Sequence, residues 1–467
     1  MVKFRSVLSI LAGLSFWGAF APLQWWPMAF LGSSFLFISL LDVPIKIRLS
    51  RAFLAGVSFF GPLLHWTGIY VGAFPWLALT FLEASIFALI GILAYQRNFR
   101  SSLHFALLFT LLELLRMKAP FGGFGWGRVG FTQISPLHNL YPLLSVTGIS
   151  LLVSLVGAYL TKRRFRTLVV LTLLIICASV ISNSENSPVK AKLIITAVQG
   201  GVDELGLRFN ARALSVLRRH AALTQGVPQG SDLIIWPENA SDIDPIKDPA
   251  AASILWQTIR SAKTPLLIGA VEQGSVGPSN SSLLFSPTGE LNSRYIKQDL
   301  APFGEYMPIR PIVEFFNSYA ERVIDFQPGD HWVRPKIKDL TFASLICFEV
   351  LDDDHVRSGA EGTNFLIAQT NNATFGTSSQ AKQQLQITQA RAAELNREFA
   401  VVSTTGWTAH IGSRGQELAT IPQFQPGTLR MEITGERGET FAGHLRSWMW
   451  AVGLSVLLMF SRWRYRR

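Results

Sequence analysis

Three side chains with the chemistry for covalent acyl transfer stand at the ends of predicted strands. Glu238 follows LIIW within WPENA, Lys297 begins KQDLAPFGEY, and Cys347 lies within SLICFEV. A thiol attacks efficiently as a thiolate, so it needs a base to take its proton and a nearby cation to stabilise negative charge. A carboxylate and an ammonium meet these two needs. The three residues therefore predict a cysteine nucleophile that accepts an acyl group.

Taken one at a time, these residues indicate little. A buried cysteine usually packs as a small hydrophobe, and this is our interpretation of Cys177, the second of the two cysteines, because it lies in an apolar run. Two such distant cysteines give no disulfide framework. Only the ordered set of Glu238, Lys297 and Cys347 favours catalysis.

Two other motifs resemble cofactor sites, and we interpret both as structural. Residues 125–130 fit G-x-G-x-x-G, but they follow an apolar run and not a strand of a βαβ unit, so we expect no nucleotide there. The run Asp352, Asp353 and Asp354 beside His355 favours a helix start over a metal site. We therefore expect neither a metal nor a cofactor.

The region from about residue 188 to 443 must position the reactive side chains. Short apolar runs such as DLIIW, FASLI and NFLIA recur there between helical or turn-rich segments, and most do not alternate polar with apolar residues. Such runs are typical of strands buried on both faces of a sheet in an α/β fold. Functional groups in these folds usually lie just past the carboxyl ends of the strands, which is where this pattern places the three residues.

The basic charge of the chain is concentrated in its apolar ends. The formal net charge is +11, but Lys and Arg outnumber Asp and Glu by 14 to 4 in residues 1–189 and by 5 to 0 in 446–467. In residues 190–445 they number 23 against 27. Because the large polar region is mildly acidic, we do not expect nucleic acid as a partner.

Eight apolar runs indicate membrane-spanning helices, since each is close to the ~20 residues that cross a bilayer core. The fifth run is short and carries Glu113, and only a tight turn separates the first two, so we expect seven or eight spans. The runs are 6–22, 24–42, 52–71, 74–95, 102–115, 139–160, 167–183 and 446–461.

Five basic clusters fall on alternate connections between these runs, and the positive-inside rule assigns all five to the cytoplasm. Both ends of the chain are then cytoplasmic, and the polar region is extracytoplasmic. More apolar runs follow the first one, which has no small-residue cleavage site, so we expect a retained helix. The clusters are Lys3 and Arg5; Lys46, Arg48 and Arg51; Arg97 and Arg100; Lys162, Arg163, Arg164 and Arg166; and Arg462, Arg464, Arg466 and Arg467.

The motifs around the reactive residues resemble those of the nitrilase superfamily of carbon–nitrogen hydrolases, which has a Glu-Lys-Cys triad. Together with FGGFGWGRVGFTQ, SPLHNLYPLLSVTGIS, TNNATFG and QARAAELNREFAVVSTTG, nearly the whole chain resembles the apolipoprotein N-acyltransferase family. The resemblance implies a polytopic α-helical membrane domain of about eight spans plus an αββα nitrilase-like sandwich. We expect residues 1–187 to form the membrane domain, 188–443 the extracytoplasmic catalytic domain, and 444–467 a last span with a basic tail.

The resemblance also implies roles for individual residues. Cys347 becomes the nucleophile, Glu238 the general base and Lys297 the stabiliser of the oxyanion, and Glu305 becomes a second essential carboxylate that orients Lys297 or assists proton transfer. Supporting or substrate-binding roles fall to Phe348, Glu349, Tyr306 and Asn371.

Enzymes of this family follow a ping-pong mechanism and act in the inner membrane of bacteria. A phospholipid donates its sn-1 acyl chain to the thiol, and the α-amine of a diacylglyceryl-cysteine at the N-terminus of an apolipoprotein accepts it. Membrane lipids are therefore expected partners, and the apolar segments IVEFFNSYA and GGFGWGRVGF are expected to contact them. Arg128 in the second segment either binds a lipid phosphate or holds the loop by a hydrogen bond, and the sequence leaves both open.

Three departures from the family pattern bear on substrate preference and rate, because none removes a triad residue. After the catalytic Lys, Gln298 and Asp299 replace a basic residue followed by a histidine. After the first strand, Arg208 or Phe209 replaces a tryptophan, and after the nucleophile Phe348 replaces a tyrosine.

Two alternative functions compete with acyl transfer to an amine. A membrane-tethered amidase or nitrilase-type hydrolase is disfavoured because a soluble substrate would require at most one anchor. A non-catalytic membrane scaffold is disfavoured by the intact triad.

Overall fold

The computed structural model describes residues 2–161, 188–206, 214–311, 314 and 324–463. The chain divides into two compact units. We call Met1–Glu185 with Thr440–Arg467 the helical unit, and Asn186–Glu439 the sheet unit. The predicted run 167–183 and Cys177, the segment IVEFFNSYA except for Glu314, and both Arg208 and Phe209 lie outside the described residues.

Every predicted apolar run within the described residues overlaps a helix. The helices of the helical unit are α1 (Val2–Gly18), α2 (Pro27–Leu40), α3 (Ile45–Leu63), α4 (Ala73–Ala88), α5 (Phe99–Lys118), α6 (Ile134–Leu137) and α7 (Tyr141–Leu160), and those of the sheet unit are α8 (Ser215–Gln225), α9 (Pro249–Ala262), α10 (Asp353–Ala360) and α11 (Gln380–Leu395). The helical unit ends with α12 (Phe441–His444) and α13 (Ser447–Trp463).

Two helical segments among the described residues, Ala73–Ile92 and Ile134–Leu160, are long and apolar enough to cross a membrane by length and composition. Phe4–Gly18 and Pro27–Leu40 are apolar but shorter. This criterion supports fewer spans than sequence analysis predicts, partly because several helices end short of the ~20 residues that a bilayer core requires. The eight-span arrangement therefore stays a prediction.

Two carboxylates buried in the helical unit have polar partners. Glu83 forms an ion pair with Arg116, which also donates from Nη2 to the Trp126 carbonyl oxygen at 2.6 Å. Glu113 accepts a hydrogen bond from the Val129 backbone N–H at 2.8 Å. Because an unpaired charge is costly in an apolar interior, these contacts hold the connection after α5 against α4 and α5.

The sheet unit contains two six-stranded sheets within its described residues, with orders β12-β1-β2-β3-β4-β5 and β11-β10-β9-β8-β7-β6. The strands are β1 (Pro188–Gln199), β2 (Leu233–Ile235), β3 (Leu266–Gln273), β4 (Pro278–Phe285), β5 (Leu291–Ile296), β6 (Lys336–Ile337), β7 (Leu340–Ile346), β8 (Phe365–Thr370), β9 (Phe399–Ser403), β10 (Thr408–Ile411), β11 (Glu417–Ile421) and β12 (Gly427–Glu436).

Strand direction brings several strand ends to a common edge. In the first sheet β1, β2 and β3 are parallel, β4 is antiparallel to β3, and β5 is antiparallel to β4. The strand β5 therefore runs the same way as β2, and the two end at the same edge. In the second sheet β7, β8 and β9 are parallel.

An apolar core joins the two sheets face to face. Ile195 and Leu267 of the first sheet and Phe342, Ile367 and Val402 of the second belong to one cluster of buried side chains. The helices α8 and α9 cover the other face of the first sheet, while α10 contacts β7 and α11 contacts β9. Strands covered on both faces explain why the runs do not alternate. The predicted αββα nitrilase-like sandwich is confirmed for this unit.

Candidate active site

The three reactive side chains each follow the carboxyl end of a strand. Glu238 comes three residues after β2, Lys297 directly after β5, and Cys347 directly after β7. Cys347 begins a 3-10 turn, Cys347–Leu351, with a φ of 52°. Such a left-handed backbone costs a non-glycine residue roughly 1 kcal/mol or more and is found mostly where the surrounding fold imposes it. This turn gives the half-buried thiol a fixed position at the strand end.

The ammonium of Lys297 lies between two carboxylates. Its Nζ is 2.7 Å from Oε2 and 2.8 Å from Oε1 of Glu305, and 3.6 Å from Oε1 of Glu238. The side chain of Lys297 is only 1% exposed, so these charges interact with little screening by water. Glu305 also accepts from the Ala301 backbone N–H at 2.8 Å, which fixes the loop that carries it.

Two donors hold the Glu238 carboxylate. The Asn280 Nδ2 donates to Oε1 of Glu238 at 2.7 Å and to Oε1 of Glu305 at 3.1 Å, so it bridges both acids. The Asn371 backbone N–H donates to Oε2 of Glu238 at 2.7 Å. The sequence motifs predict Asn371 as a site residue but do not mark Asn280. An asparagine within a buried strand is unusual, and this is the signal in the sequence that marks Asn280.

Burial and charge set the protonation of the site. Burial raises the pKa of Glu238 above its usual value. The positive charge of Lys297 opposes this increase, and the negative charge of Glu305 adds to it. Burial also raises the pKa of the Cys347 thiol, and the charge of Glu238 adds to that increase. Burial alone would lower the pKa of Lys297, but Glu305 and Glu238 outweigh it and raise the pKa. These directions favour a neutral thiol at Cys347 and a charged ammonium at Lys297.

A glutamine of α11, which sequence analysis also missed, contacts the nucleophile directly. The Gln384 Nε2 donates to the Cys347 carbonyl oxygen at 3.0 Å and lies 3.7 Å from its Sγ. The Asn372 Nδ2 donates to Gln384 Oε1 at 2.9 Å and to Gln380 Oε1 at 2.7 Å. The motif TNNATFG is therefore linked to the thiol through a chain of buried amides.

Glu349 lies beneath the turn of the nucleophile and is fully buried. Burial would raise its pKa, but a hydrogen bond and charge from His355 and a bond from the Ile346 N–H lower the pKa below its usual value. Its Oε2 accepts from that N–H at 2.7 Å, directly before Cys347. Glu349 thus supports the backbone of the nucleophile. The neighbouring side chain of Phe348 is half-buried.

The remaining predicted residues have distinct environments. The Tyr306 carbonyl oxygen accepts from the Phe303 N–H at 2.8 Å, and burial raises the pKa of its phenol. Arg128 belongs to the helical unit, where it is fully buried and donates from Nη2 to Thr147 Oγ1 at 2.7 Å and from Nη1 to Met117 Sδ at 3.2 Å. These contacts fit the structural interpretation of Arg128, and a lipid-phosphate contact stays a prediction.

Two family models match this chain. Residues 12–159 match the model described as the apolipoprotein N-acyltransferase N-terminal domain. Residues 195–441 match the model described as carbon-nitrogen hydrolase. The second match contains Glu238, Lys297 and Cys347.

Curated relatives match over most of their length. The apolipoprotein N-acyltransferase of Mycolicibacterium smegmatis is 31% identical, over 90% of this chain and 78% of that protein. The enzyme of the same name from Vibrio vulnificus is 29% identical, over 96% and 95% of the two chains. An amidase from Nesterenkonia of known structure is 18% identical, with a TM-score of 0.40, over 55% of this chain and 94% of that chain.

Proposed function

The chain belongs to the apolipoprotein N-acyltransferase family. From this membership we propose that it transfers an acyl chain from a phospholipid to the N-terminus of an apolipoprotein. The acceptor is the α-amine of a diacylglyceryl-cysteine. The observation that carries the proposal is the cluster of Glu238, Lys297 and Glu305 beside Cys347. An acyltransferase that works through a thioester needs these groups.

The first half-reaction acylates the thiol. Cys347 transfers its proton to the Glu238 carboxylate as the sulfur attacks the sn-1 ester carbonyl carbon of the phospholipid. The oxyanion that forms is stabilised by the Lys297 ammonium. When the intermediate collapses, the carbon–oxygen ester bond breaks and the departing glycerol oxygen takes the proton from Glu238. A thioester and a lysophospholipid result.

The second half-reaction moves the acyl chain to the acceptor. The neutral α-amine of the apolipoprotein attacks the thioester carbonyl carbon, and Glu238 takes a proton from the amine nitrogen. Lys297 again stabilises the oxyanion. The carbon–sulfur bond then breaks, the sulfur recovers a proton from Glu238, and an amide is released. Glu305 keeps Lys297 charged and in place through both half-reactions, at 2.7 Å.

We also propose a multi-pass arrangement in the bacterial inner membrane, with about eight spans, the region 188–443 on the extracytoplasmic side and both ends of the chain cytoplasmic. The alternation of basic clusters supports this arrangement. Both substrates are anchored in the bilayer, so a catalytic domain attached to the membrane meets them at a high effective concentration. Water has to be kept from the thioester, because hydrolysis would turn the transferase into a phospholipase.

A single purified preparation of the full chain tests the proposal. It is incubated with a phospholipid that carries a fluorophore on its sn-1 acyl chain, and peptide mapping locates the label. We expect a thioester adduct at Cys347 that is absent from Cys347→Ala. Addition of a diacylglyceryl peptide should then move the label to the peptide amine. An equal adduct in Cys347→Ala, or no adduct in the wild type, contradicts acyl transfer through this thiol, and release to water as fast as to peptide indicates a hydrolase.

A further inference from the structure

His355 of α10 lies between two acidic side chains next to the proposed active site. Its Nε2 is 3.2 Å from Oε1 of Glu349, and its Nδ1 is 3.5 Å from Oδ2 of Asp299. The ring packs against Trp332 with a centroid distance of 4.5 Å, and its side chain is 8% exposed. Each ring nitrogen of His355 therefore faces a carboxylate.

Glu349, the deeper of these two acids, joins the strand ends that carry the nucleophile and the lysine. Besides the Ile346 N–H, it accepts at Oε1 from the Gln298 N–H at 2.8 Å and from the Asp299 N–H at 3.3 Å. The Tyr295 hydroxyl donates to the same oxygen at 2.7 Å. One carboxylate thus holds the backbone directly before Cys347 and directly after Lys297.

These contacts require an ionised Glu349, and a buried carboxylate requires a cation nearby. A neutral imidazole carries a single N–H, whereas the imidazolium donates from both nitrogens. Only the imidazolium form of His355 can donate to Glu349 and to Asp299 together. The other groups around the ring are the Tyr295 hydroxyl, 3.4 Å from Nε2, and the charge of Asp352 at the start of α10.

We propose that His355 acts as an imidazolium positioning residue, which keeps Glu349 ionised and thereby fixes the backbones that carry Cys347 and Lys297. This inference rests on the proposed acyltransferase function. Loss of the His355 proton would leave the buried Glu349 carboxylate without its closest cation and weaken its hold on both strand ends. Formation of the acyl-enzyme should therefore slow as pH rises.

The direction of the pKa agrees with this geometry. Burial would lower the pKa of His355, but the hydrogen bond and charge of Glu349, followed by the charges of Asp299 and Asp352, raise the pKa above its usual value. A raised pKa means that the imidazolium persists at neutral pH and is lost on the alkaline side. Removal of the charge of Asp299 should bring that loss to lower pH.

The test measures the single-turnover rate of acyl-enzyme formation at Cys347 against pH, with the fluorescent phospholipid and the full chain. In the Asp299→Asn variant we expect the alkaline fall to move down by about one pH unit. His355→Lys, which is charged throughout this range, should abolish the fall, and His355→Asn should be about tenfold slower at neutral pH and lose the fall. The control is Asp330→Asn, since Asp330 also pairs with a histidine, His331, but is exposed and outside the site.

Two outcomes separate this inference from the proposed function. No adduct at any pH in the wild type refutes the acyltransferase proposal. An adduct whose alkaline fall is the same in wild type and Asp299→Asn refutes only the role of His355, and Asp299→Asn is a mild change because its side chain is 43% exposed. Thermal melts of each variant across the same pH range should stay parallel to wild type, since a fall that follows unfolding would also overturn the inference.

Discussion

Asn280 offers the sharpest test of the base assigned to this site. Its Nδ2 bridges Glu238 at 2.7 Å and Glu305 at 3.1 Å, and its side chain is almost fully buried in β4. Asn280→Leu keeps the size of the side chain and removes the donor. Glu238 would keep its hydrogen bond from the Asn371 N–H and the nearby charge of Lys297. The active site should therefore stay assembled, but the ionised form of Glu238 should be less stable.

The structure sets the size and sign of the effect. A hydrogen bond to a charged group contributes about 1.5–3 kcal/mol, and a difference of one in pKa corresponds to about 1.36 kcal/mol. Loss of the donor from Glu238 should therefore raise its pKa by about 1 to 2 above a value that burial already raises. A base acts only when ionised, so its activity rises with pH through this pKa. A higher pKa in Asn280→Leu moves the acid limb of the rate profile to higher pH.

The assay is the single-turnover acylation of Cys347 across pH, for wild type, Asn280→Leu and a matched control. Below the limb we expect the variant to be about 10- to 100-fold slower, because the ionised fraction of Glu238 falls about tenfold for each increase of one in its pKa. The variant should recover part of the loss as pH rises. Ser282→Ala is the control, since Ser282 is equally buried on β4 but bonds to Ser344. An unshifted acid limb in a folded Asn280→Leu protein would refute Glu238 as the titrating base.

Two further substitutions test the amides around the thiol. Gln384→Leu removes an N–H from the carbonyl oxygen and sulfur of Cys347 and the acceptor of the buried Asn372 amide. Since a neutral hydrogen bond contributes about 1 kcal/mol, acylation should slow about fivefold, and an unchanged rate in the folded variant would contradict the contact with Cys347. Gly406→Ala places a Cβ 2.2 Å from Asn372 Oδ1. We therefore expect the free energy of unfolding, measured by chemical denaturation, to fall by about 1–3 kcal/mol. The control is Gly226→Ala, which should match wild type because its Cβ meets only a carbonyl oxygen at 3.6 Å.

The main features of the sheet unit could be predicted because each rests on a local pattern. Runs such as LIIW and FLIA lack alternation since both faces of their strands are covered, and this pattern alone indicates an α/β sandwich. Glu238 and Cys347 each closely follow such a run, at the carboxyl ends of β2 and β7. Lys297 follows β5, whose sequence LNSRYI alternates and is only partly buried, so the motif KQDLAPFGEY marks it instead. Chain direction then determines which strand ends share an edge.

The residues that were missed reach the site from elements whose direction or face the sequence does not reveal. Asn280 is near the amino end of β4, and only the antiparallel pairing of β4 with β3 brings that end to the edge where β2 ends. Gln384 lies on α11 among other buried glutamines, so periodicity does not single it out. The sequence marks His355 only as part of a helix start, and the Asp352 side chain indeed caps α10. The contact of His355 with Glu349 depends on the packing of α10 against β7.

The charge of the cluster explains how one base can serve both half-reactions under the proposed roles. Glu238 and Glu305 with Lys297 give a net charge of −1 when all are ionised, so a thiolate at Cys347 would add a second negative charge to a buried site. The thiol therefore stays neutral until Glu238 takes its proton during attack, as its raised pKa requires. Each half-reaction returns that proton to a leaving atom and restores the charge of −1. The same charge attracts an acceptor ammonium but not water. This ammonium releases one proton to water, and the neutral amine then attacks and gives its second proton to Glu238.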